Sequence, residues 1–329
     1  MALPASLANQ SDSTRQLVAS STTAGSTNAF GATYFVDAAN GSDTLSGHTV
    51  QDAMATIASA ITASQAGDTL ILSPGTHSVD VSVAALAPKA DTRIVGAIPS
   101  FGGMPSTVIT HDADDGADLV LVDVDGVVFQ DIKFLMVAGA SAALRTVAVA
   151  QTTAVNGLSF VDCWFDQNSV DISGVLSIAV NDATNATVGL VVKNCRFLGG
   201  DATSNQPSYI QIGAGGTPDL LIEDCVFVLE AAGANCYGVD FLDPVGTGKS
   251  YGFVIRNNDF IGPTDAGEDG LGVFFASATT ETELIGIIRT NYFAYCALDA
   301  VTQDEAAKAF VRNYVGENTA GGAIVTGGA

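Results

Sequence analysis

The densest run of carboxylates is HDADDGADLVLVDVDG, which gathers Asp112, Asp114, Asp115, Asp118, Asp123 and Asp125. Hard oxygen donors at this density are the type that calcium takes. Two carboxyls set about 5 to 9.5 Å apart would also meet the spacing of a glycosidase pair. The order Asp112-Ala113-Asp114-Asp115-Gly116 misses the EF-hand pattern, however, and Asp-Gly steps are common β-turns. The segment TDAGEDG at 264–270 reads the same way. Turns are the expected role of both, with bound calcium kept as the alternative.

Other chemistry is sparse. Cys163, Cys195, Cys225, Cys236 and Cys296 are odd in number and have no close pair, which suggests neither a disulfide framework nor a zinc site. Nothing resembles a phosphate-cradling loop, a nucleophile elbow or a metalloprotease helix. No catalytic, cofactor-binding or metal residue is assigned on this basis, and the chain is not expected to be an enzyme.

The composition narrows the classes further. Of 329 residues 47% are hydrophobic, enough for a large core, while the net charge is −23. Such a surface repels phosphate backbones, so nucleic acid is not an expected partner on electrostatic grounds. Asp outnumbers Glu and there are 35 Gly, a balance that favours turns over helices. No apolar run approaches the length of a membrane helix, and the first residues show no secretory signal. Synthesis and folding in a reducing cytoplasm are expected.

A repeat organises the chain. VVFQDIKF ends at Phe134, LSFVDCWF at Phe165, LVVKNCRF at Phe197 and LLIEDCVF at Phe227. FVIRNNDF ends at Phe260, GIIRTNYF at Phe293 and the degenerate KAFVRNYV at Val315. The position five before each end is apolar: Phe129, Phe160, Val192, Ile222, Ile255, Ile288 and Phe310. Alternation with period two marks these as inward strand positions. The phase slips at the polar step Asp131, Asp162, Asn194, Asp224 and Asn257, which marks a corner.

Short strands meeting at a repeated corner describe a coil that stacks on itself in parallel, about 4.8 Å per step. The column two before each end then reads Ile132, Cys163, Cys195, Cys225, Asn258, Asn291 and Asn313. Thiols here are ordinary packing, and stacked Asn can hydrogen-bond along the ladder. Lys193, Glu223, Arg256 and Arg289 fall in one outward column, a mixed charge ladder suited to cross-strand pairing.

The first coil is preceded by a helical pattern. Residues 51–63 place Met54, Ile57, Ala58 and Ile61 on one face, which could lie as a lid over the open end of the stack. Gly67 is a suitable breaker after it. Residues 1–32 are rich in small polar side chains and are expected to form an extended arm. The remainder, 33–329, forms one domain, with coils over about 68–315.

YFVDAANGSD, followed by AMATIASAITASQAGDTLILSPGTH, resembles the N-terminal region of the pectate-lyase-like superfamily, and the later [DN]-[CN]-x-F units resemble its coils. The resemblance spans roughly residues 33–315 and implies an all-β fold: a right-handed single-stranded parallel β-helix with a short N-terminal capping helix. His77 departs from it, since an aromatic such as Tyr is expected after the Pro-Gly-Thr turn. Enzymes of the superfamily carry clustered Asp with an Arg or Lys base, or several Asp with Gly-His-Gly. The latter motif is missing, and His48, His77 and His111 sit in or beside the N-terminal region.

The superfamily also includes phage proteins. The expectation is a bacteriophage virion structural protein: a capsid-exterior decoration, cement or short spike subunit anchored by its arm. Its partners would be the major capsid protein or other virion proteins, a second and third copy in a homotrimer, and a host-surface glycan. A tailspike-type glycan-binding or depolymerising protein is one alternative, and a secreted polysaccharide lyase or hydrolase is another. No cofactor is expected other than the calcium already named, and no membrane partner.

Overall fold

The computed structural model describes residues 31–81, 84–100, 103–111, 118–136, 145–149, 153–167, 176–180, 187–199, 208–213, 216–229, 236–242, 250–262, 270–275, 284–294, 296, 301–302 and 314–315. Residues 1–30 of the expected arm, Asp112, Asp114 and Asp115, residues 264–269, Phe310 and Asn313 lie outside them. Among the described residues no helix is long and apolar enough to cross a membrane.

The chain is an all-β, right-handed parallel β-helix built from three long parallel sheets. The first sheet starts at Thr33–Val36, continues through Thr69–Leu72 and Arg93–Gly96, and ends at Leu284–Arg289, nine strands in all. The second runs from Gly75–Val79 to Tyr314–Val315, also nine strands. The third has seven, from Val120–Val122 to Val301–Thr302. Every neighbouring pair is parallel, so each strand is hydrogen-bonded to its counterpart in the coils before and after.

The predicted inward column is in register. Phe129, Phe160, Val192, Ile222, Ile255 and Ile288 pair successively in the first sheet, and all are fully buried. In the second sheet Phe134, Phe165, Phe197, Phe227, Phe260 and Phe293 form a column of near-parallel rings with centroids 4.6 to 5.0 Å apart. That spacing is the strand separation itself, so register alone brings the rings into stacking range. Each buried Phe adds about 1.5–3 kcal/mol of apolar transfer.

The corner after the first sheet is sterically costly for L-residues. Asp131, Asp162, Asn194, Asp224, Asn257 and Thr290 all adopt φ between 52° and 58°. Asp and Asn tolerate this left-handed conformation better than other L-residues, which explains the polar step. Their side chains link coil to coil: the Asn194 amide donates to Asp162, and the Thr290 hydroxyl donates to Asn257 over 2.6 Å.

A second left-handed corner precedes the first sheet at Asp91, Gly126, Gly157, Gly189, Asp219 and Gly252. Each lies three residues before an inward apolar residue, so the signal stood in the repeats. Glycine has two reasons to be at position 126. Its φ is +73°, and a Cβ there would sit 2.1 Å from Asp91 Oδ1. Gly157, at φ +75°, has no atom nearer than 3.9 Å to such a Cβ.

Inside the first corner runs the small-polar ladder. Cys163, Cys195 and Cys225 are free, buried thiols. Cys225 N–H donates to Asn258 Oδ1 at 2.9 Å, and Asn258 N–H and Nδ2 donate to Asn291 Oδ1 at 2.9 and 3.0 Å. Here Asn satisfies backbone groups that would otherwise be buried without partners.

The helix differs from the expectation of 51–63. It spans Ile57–Ala63, with Thr56 as N-cap accepting from Ser59 N–H. Met54 is drawn out of it by a parallel bridge to Val36, where Met54 N–H donates to Phe35 O and Asp37 N–H to Met54 O. Ile57, Ala60 and Ile61 are the buried residues, and Ala58 is exposed. The strand-like bridge outcompeted one extra helical turn because it joins the first sheet's ladder. The shortened helix lies against the strands Thr33–Val36, Thr69–Leu72 and Gly75–Val79.

Gly126→Ala should destabilise more than Gly157→Ala, which carries only the left-handed strain of roughly 1–2 kcal/mol. Adding Asp91→Gly to Gly126→Ala should remove most of the excess over Gly157→Ala, leaving only the 3.1 Å approach to the Cα of residue 91. Chemical denaturation of the four proteins checks this.

Candidate functional site

The first sheet and its corner place the richest set of charged groups on the outer surface. Val161, Lys193, Glu223, Arg256 and Arg289 occupy one register column, alternating with the buried positions of their strands. Glu223 is clamped between coils: Lys193 Nζ lies 3.0 Å from Oε2 and Arg256 Nη2 lies 2.6 Å from Oε1. The expected mixed charge ladder is therefore formed over these three residues. Burial pushes the Glu223 carboxyl upward. The hydrogen bond and charge of Lys193, with the charge of Arg256, outweigh it and hold the carboxyl below its ordinary range.

Two carboxyls stand on successive coils beside this column. Asp131 is 2% exposed and accepts from the Ser100 N–H at 2.7 Å and the Ser100 hydroxyl at 3.0 Å. Asp162 is one coil further along. Burial raises its pKa, the hydrogen bond from Asn194 opposes that rise, and the neighbouring Asp131 charge adds to it. Asp131 thus has two donors from Ser100, and burial biases Asp162 toward its protonated form. The repeat places Asp131 and Asp162 at the corner but does not encode the contact of Ser100 with Asp131.

The carboxylates of the Asp-rich stretch do not all converge. Asp118 is held in a bidentate pair by Arg145, with Nη2 at 2.7 Å and Nε at 2.8 Å. Asp125 accepts from Asn156 N–H at 2.7 Å and its amide at 3.1 Å, a contact across one coil. Among the described residues no group of three or more His, Cys, Asp or Glu is arranged to hold a metal ion.

The histidines fall in unrelated settings. His77 fills the slot expected of an aromatic: it is 2% exposed, shares a column with Ile109 and Phe134, and its Nε2 lies 2.9 Å from Ser73 O. His111 is buried at the end of the neighbouring strand. His48 is exposed, with its ring 4.7 Å from that of Tyr34.

A further carboxyl is out of reach of solvent. Asp240, on the third sheet, is 4% exposed; its Oδ2 accepts from Ser208 Oγ at 2.9 Å while Oδ1 has no partner. Burial pushes its pKa up. Nothing in the repeats singles it out, because its register column reads Ala148, Ala179, Gln211, Asp240 and Phe274 and keeps no residue type.

The stacked parallel sheets define the chain as a right-handed parallel β-helix. No protein-family model and no curated protein matches the sequence. Among solved structures, a pectin methylesterase from Aspergillus niger is similar at 12% identity and a TM-score of 0.48, over 87% of this chain and 85% of that one. A rhamnogalacturonan lyase is similar at 12% identity and 0.44, over 88% of each chain. A pectate lyase is similar at 11% identity and 0.34, over 89% and 81%. At these identities the likeness is one of fold. These similar structures are nevertheless named as enzymes, so the expectation that the chain is not an enzyme is withdrawn.

Glu223→Gln should lower stability by roughly 1 kcal/mol at neutral pH and low salt. A depressed carboxyl stabilises the fold above the ordinary glutamate value of 4.5 and loses that contribution as pH falls through its folded value. The difference from the unsubstituted chain should accordingly shrink on acidification and in high salt. Denaturation curves across pH and ionic strength measure it.

Proposed function

We propose that this chain is a structural subunit of a bacteriophage particle, carried on the capsid exterior as a decoration or cement protein or a short spike. The observation that carries this reading is the unbroken parallel ladder from Thr33 to Arg289, nine strands in one sheet. A rod of this build resists bending because every coil is bonded to its neighbours along its length. Its acidic surface, in a chain of net charge −23, suits an outward-facing component that must not stick to its neighbours.

In this reading residues 1–32 anchor the column to the major capsid protein or another virion protein. The helix Ile57–Ala63 closes the near end of the column, and three copies assemble on a threefold position of the capsid. The subunit is made in the host cytoplasm and reaches the particle by assembly.

Asp131 and Asp162 favour a second reading, a tailspike-type protein that binds or cleaves a host glycan. Asp162, whose pKa burial raises, stands one coil from the buried carboxyl of Asp131, and a pair of neighbouring carboxyls is what glycoside hydrolysis uses. Loss of cleavage of a host polysaccharide in Asp162→Asn, with stability retained, is the result that would favour it over the first.

Quantitative mass spectrometry of purified particles tests the primary reading. Tens to hundreds of copies relative to the major capsid protein are expected, and a chain without residues 1–30 should fold but no longer bind particles. Absence from particles overturns the reading, and a handful of copies in multiples of three moves the subunit to the tail.

A further inference from the structure

We infer that residues 15–19 form a further strand that closes the open edge of the second sheet, pairing in parallel with Gly75–Val79. Each of the three long sheets begins with an edge strand at the near end of the stack. In the first sheet the chain closes its own edge: Phe35 N–H donates to Gly47 O at 2.7 Å, and Met54 N–H to Phe35 O at 2.9 Å. In the third sheet Leu86 does so, with its N–H donating to Leu119 O and its carbonyl accepting from Leu121 N–H. The second sheet has no such cover among the described residues, where Gly75–Val79 pairs only with Thr107–His111.

The pairing that exists fixes the direction of the free groups. Gly75 N–H donates to Ser106 O at 2.9 Å, so Gly75, His77 and Val79 turn their main-chain groups toward the next coil. Those of Thr76 and Ser78 therefore face away from the stack, and both residues are exposed. The helix Ile57–Ala63 lies against this strand, yet it buries Ile57, Ala60 and Ile61 and leaves Thr76 and Ser78 uncovered. Two N–H and two C=O groups in an extended, exposed row are a template for strand addition.

The coil's own spacing selects the occupant. Thr33, Thr69 and Arg93 stand in one register column, each opening a strand of the first sheet. The step from Val79 to Arg93 carries the chain from a second-sheet strand round to the next first-sheet strand. The same step taken back from Thr33 ends on Ala19, so residues 15–19 stand to Thr33 as Gly75–Val79 stand to Arg93. In that register Leu17 and Ala19 take the inward positions beside buried His77 and Val79, while Gln16 and Val18 lie over Thr76 and Ser78. Both inward positions are thus apolar. Residues 1–30 hold one other run of three apolar residues, Met1-Ala2-Leu3, and Pro4 follows it with no N–H to pair.

Reach and tethering favour this segment over another chain. The main chain enters the near end at Gly31, where a Cβ would stand 2.0 Å from Gly67 O, and Ala32 N–H donates to Asp68 Oδ1 at 2.6 Å. Residues 20–32 would then cover the course that residues 80–92 cover one coil below. A tethered strand competes at an effective concentration of roughly millimolar, which a free copy does not reach. The inference needs no location on a particle. Within the reading of residues 1–32 as an anchor, it leaves residues 1–14 to reach a partner.

Hydrogen exchange at single residues of the purified full chain tests this. Thr76 N–H would donate to Arg15 O and Ser78 N–H to Leu17 O, so both amides are expected to exchange slowly. Leu17→Pro removes the N–H that Thr76 O would accept, and should speed exchange of both amides about tenfold. Leu7→Pro, outside the strand, should not. Circular dichroism confirms that both variants are folded, and removal of residues 1–20 replaces Leu17→Pro if that variant does not fold. The five native cysteines are buried, so a chain carrying V18C and S78C should join these two thiols within one chain under a short bismaleimide. The inference is overturned if Thr76 and Ser78 exchange alike in the full chain and in Leu17→Pro. It is equally overturned if V18C and S78C join only between chains or not at all.

Discussion

The structure depends on one constraint: parallel strands in exact vertical register, about 4.8 Å apart, set every residue against its counterpart in the next coil. Whatever occupies a column must tolerate a copy of itself or a complement above and below. Aromatic rings meet this by stacking, as the column from Phe134 to Phe293 does. Asn258 and Asn291 meet it by passing hydrogen bonds along the column into backbone groups. A slip of one residue would turn the Phe column to solvent and Trp164 and Arg196 into the core, so the core and both outer faces stand or fall with the register.

The corners hold that register. Left-handed residues flank the first sheet on both sides, at Gly157 and Asp162 in one coil and at Gly189 and Asn194 in the next. With the bends fixed at both ends, a strand has no room to slide against its neighbour. The stacking also explains why the two corners differ in composition. After the sheet, Asp and Asn use their side chains to bond between coils. Before it, Asp91 occupies the space where a side chain at position 126 would go, which leaves glycine there.

The same constraint governs the outer faces. Like charges in a column repel at strand spacing, so the first sheet alternates Lys193, Glu223 and Arg256 and neutralises itself. On the second sheet the neutralisation is incomplete: Lys133 reaches Asp166, but Arg196 rests on Trp164 and Asp259 stands apart. At the corner, Asp131 and Asp162 stand one coil apart: Ser100 donates to the first, while burial, with the Asp131 charge adding to it, raises the pKa of the second. Polar groups left unbalanced by an otherwise self-balancing lattice are where binding and chemistry have a foothold.

The sequence by itself determined the coil, its inward columns and its polar corner, because a constraint repeated at every turn writes the same residue types at the same offset. Phe165, Cys195 and Asn194 were legible for that reason, and so was the pairing of Glu223 with its neighbours in the column. The glycine corner was equally periodic in Gly126, Gly157 and Gly189, and needed only to be read from the other side of the strand. Tertiary structure alone decided what the repeat does not encode. The helix was shortened when Met54 joined the ladder at Val36. On the third sheet Asp240 is buried in a column of Ala148, Ala179, Gln211 and Phe274, which shares no residue type. Ser100 reached Asp131, and the Arg196 guanidinium settled on Trp164, through side-chain packing between residues about thirty apart, where periodicity sets the neighbours but rotamers and burial set the contact.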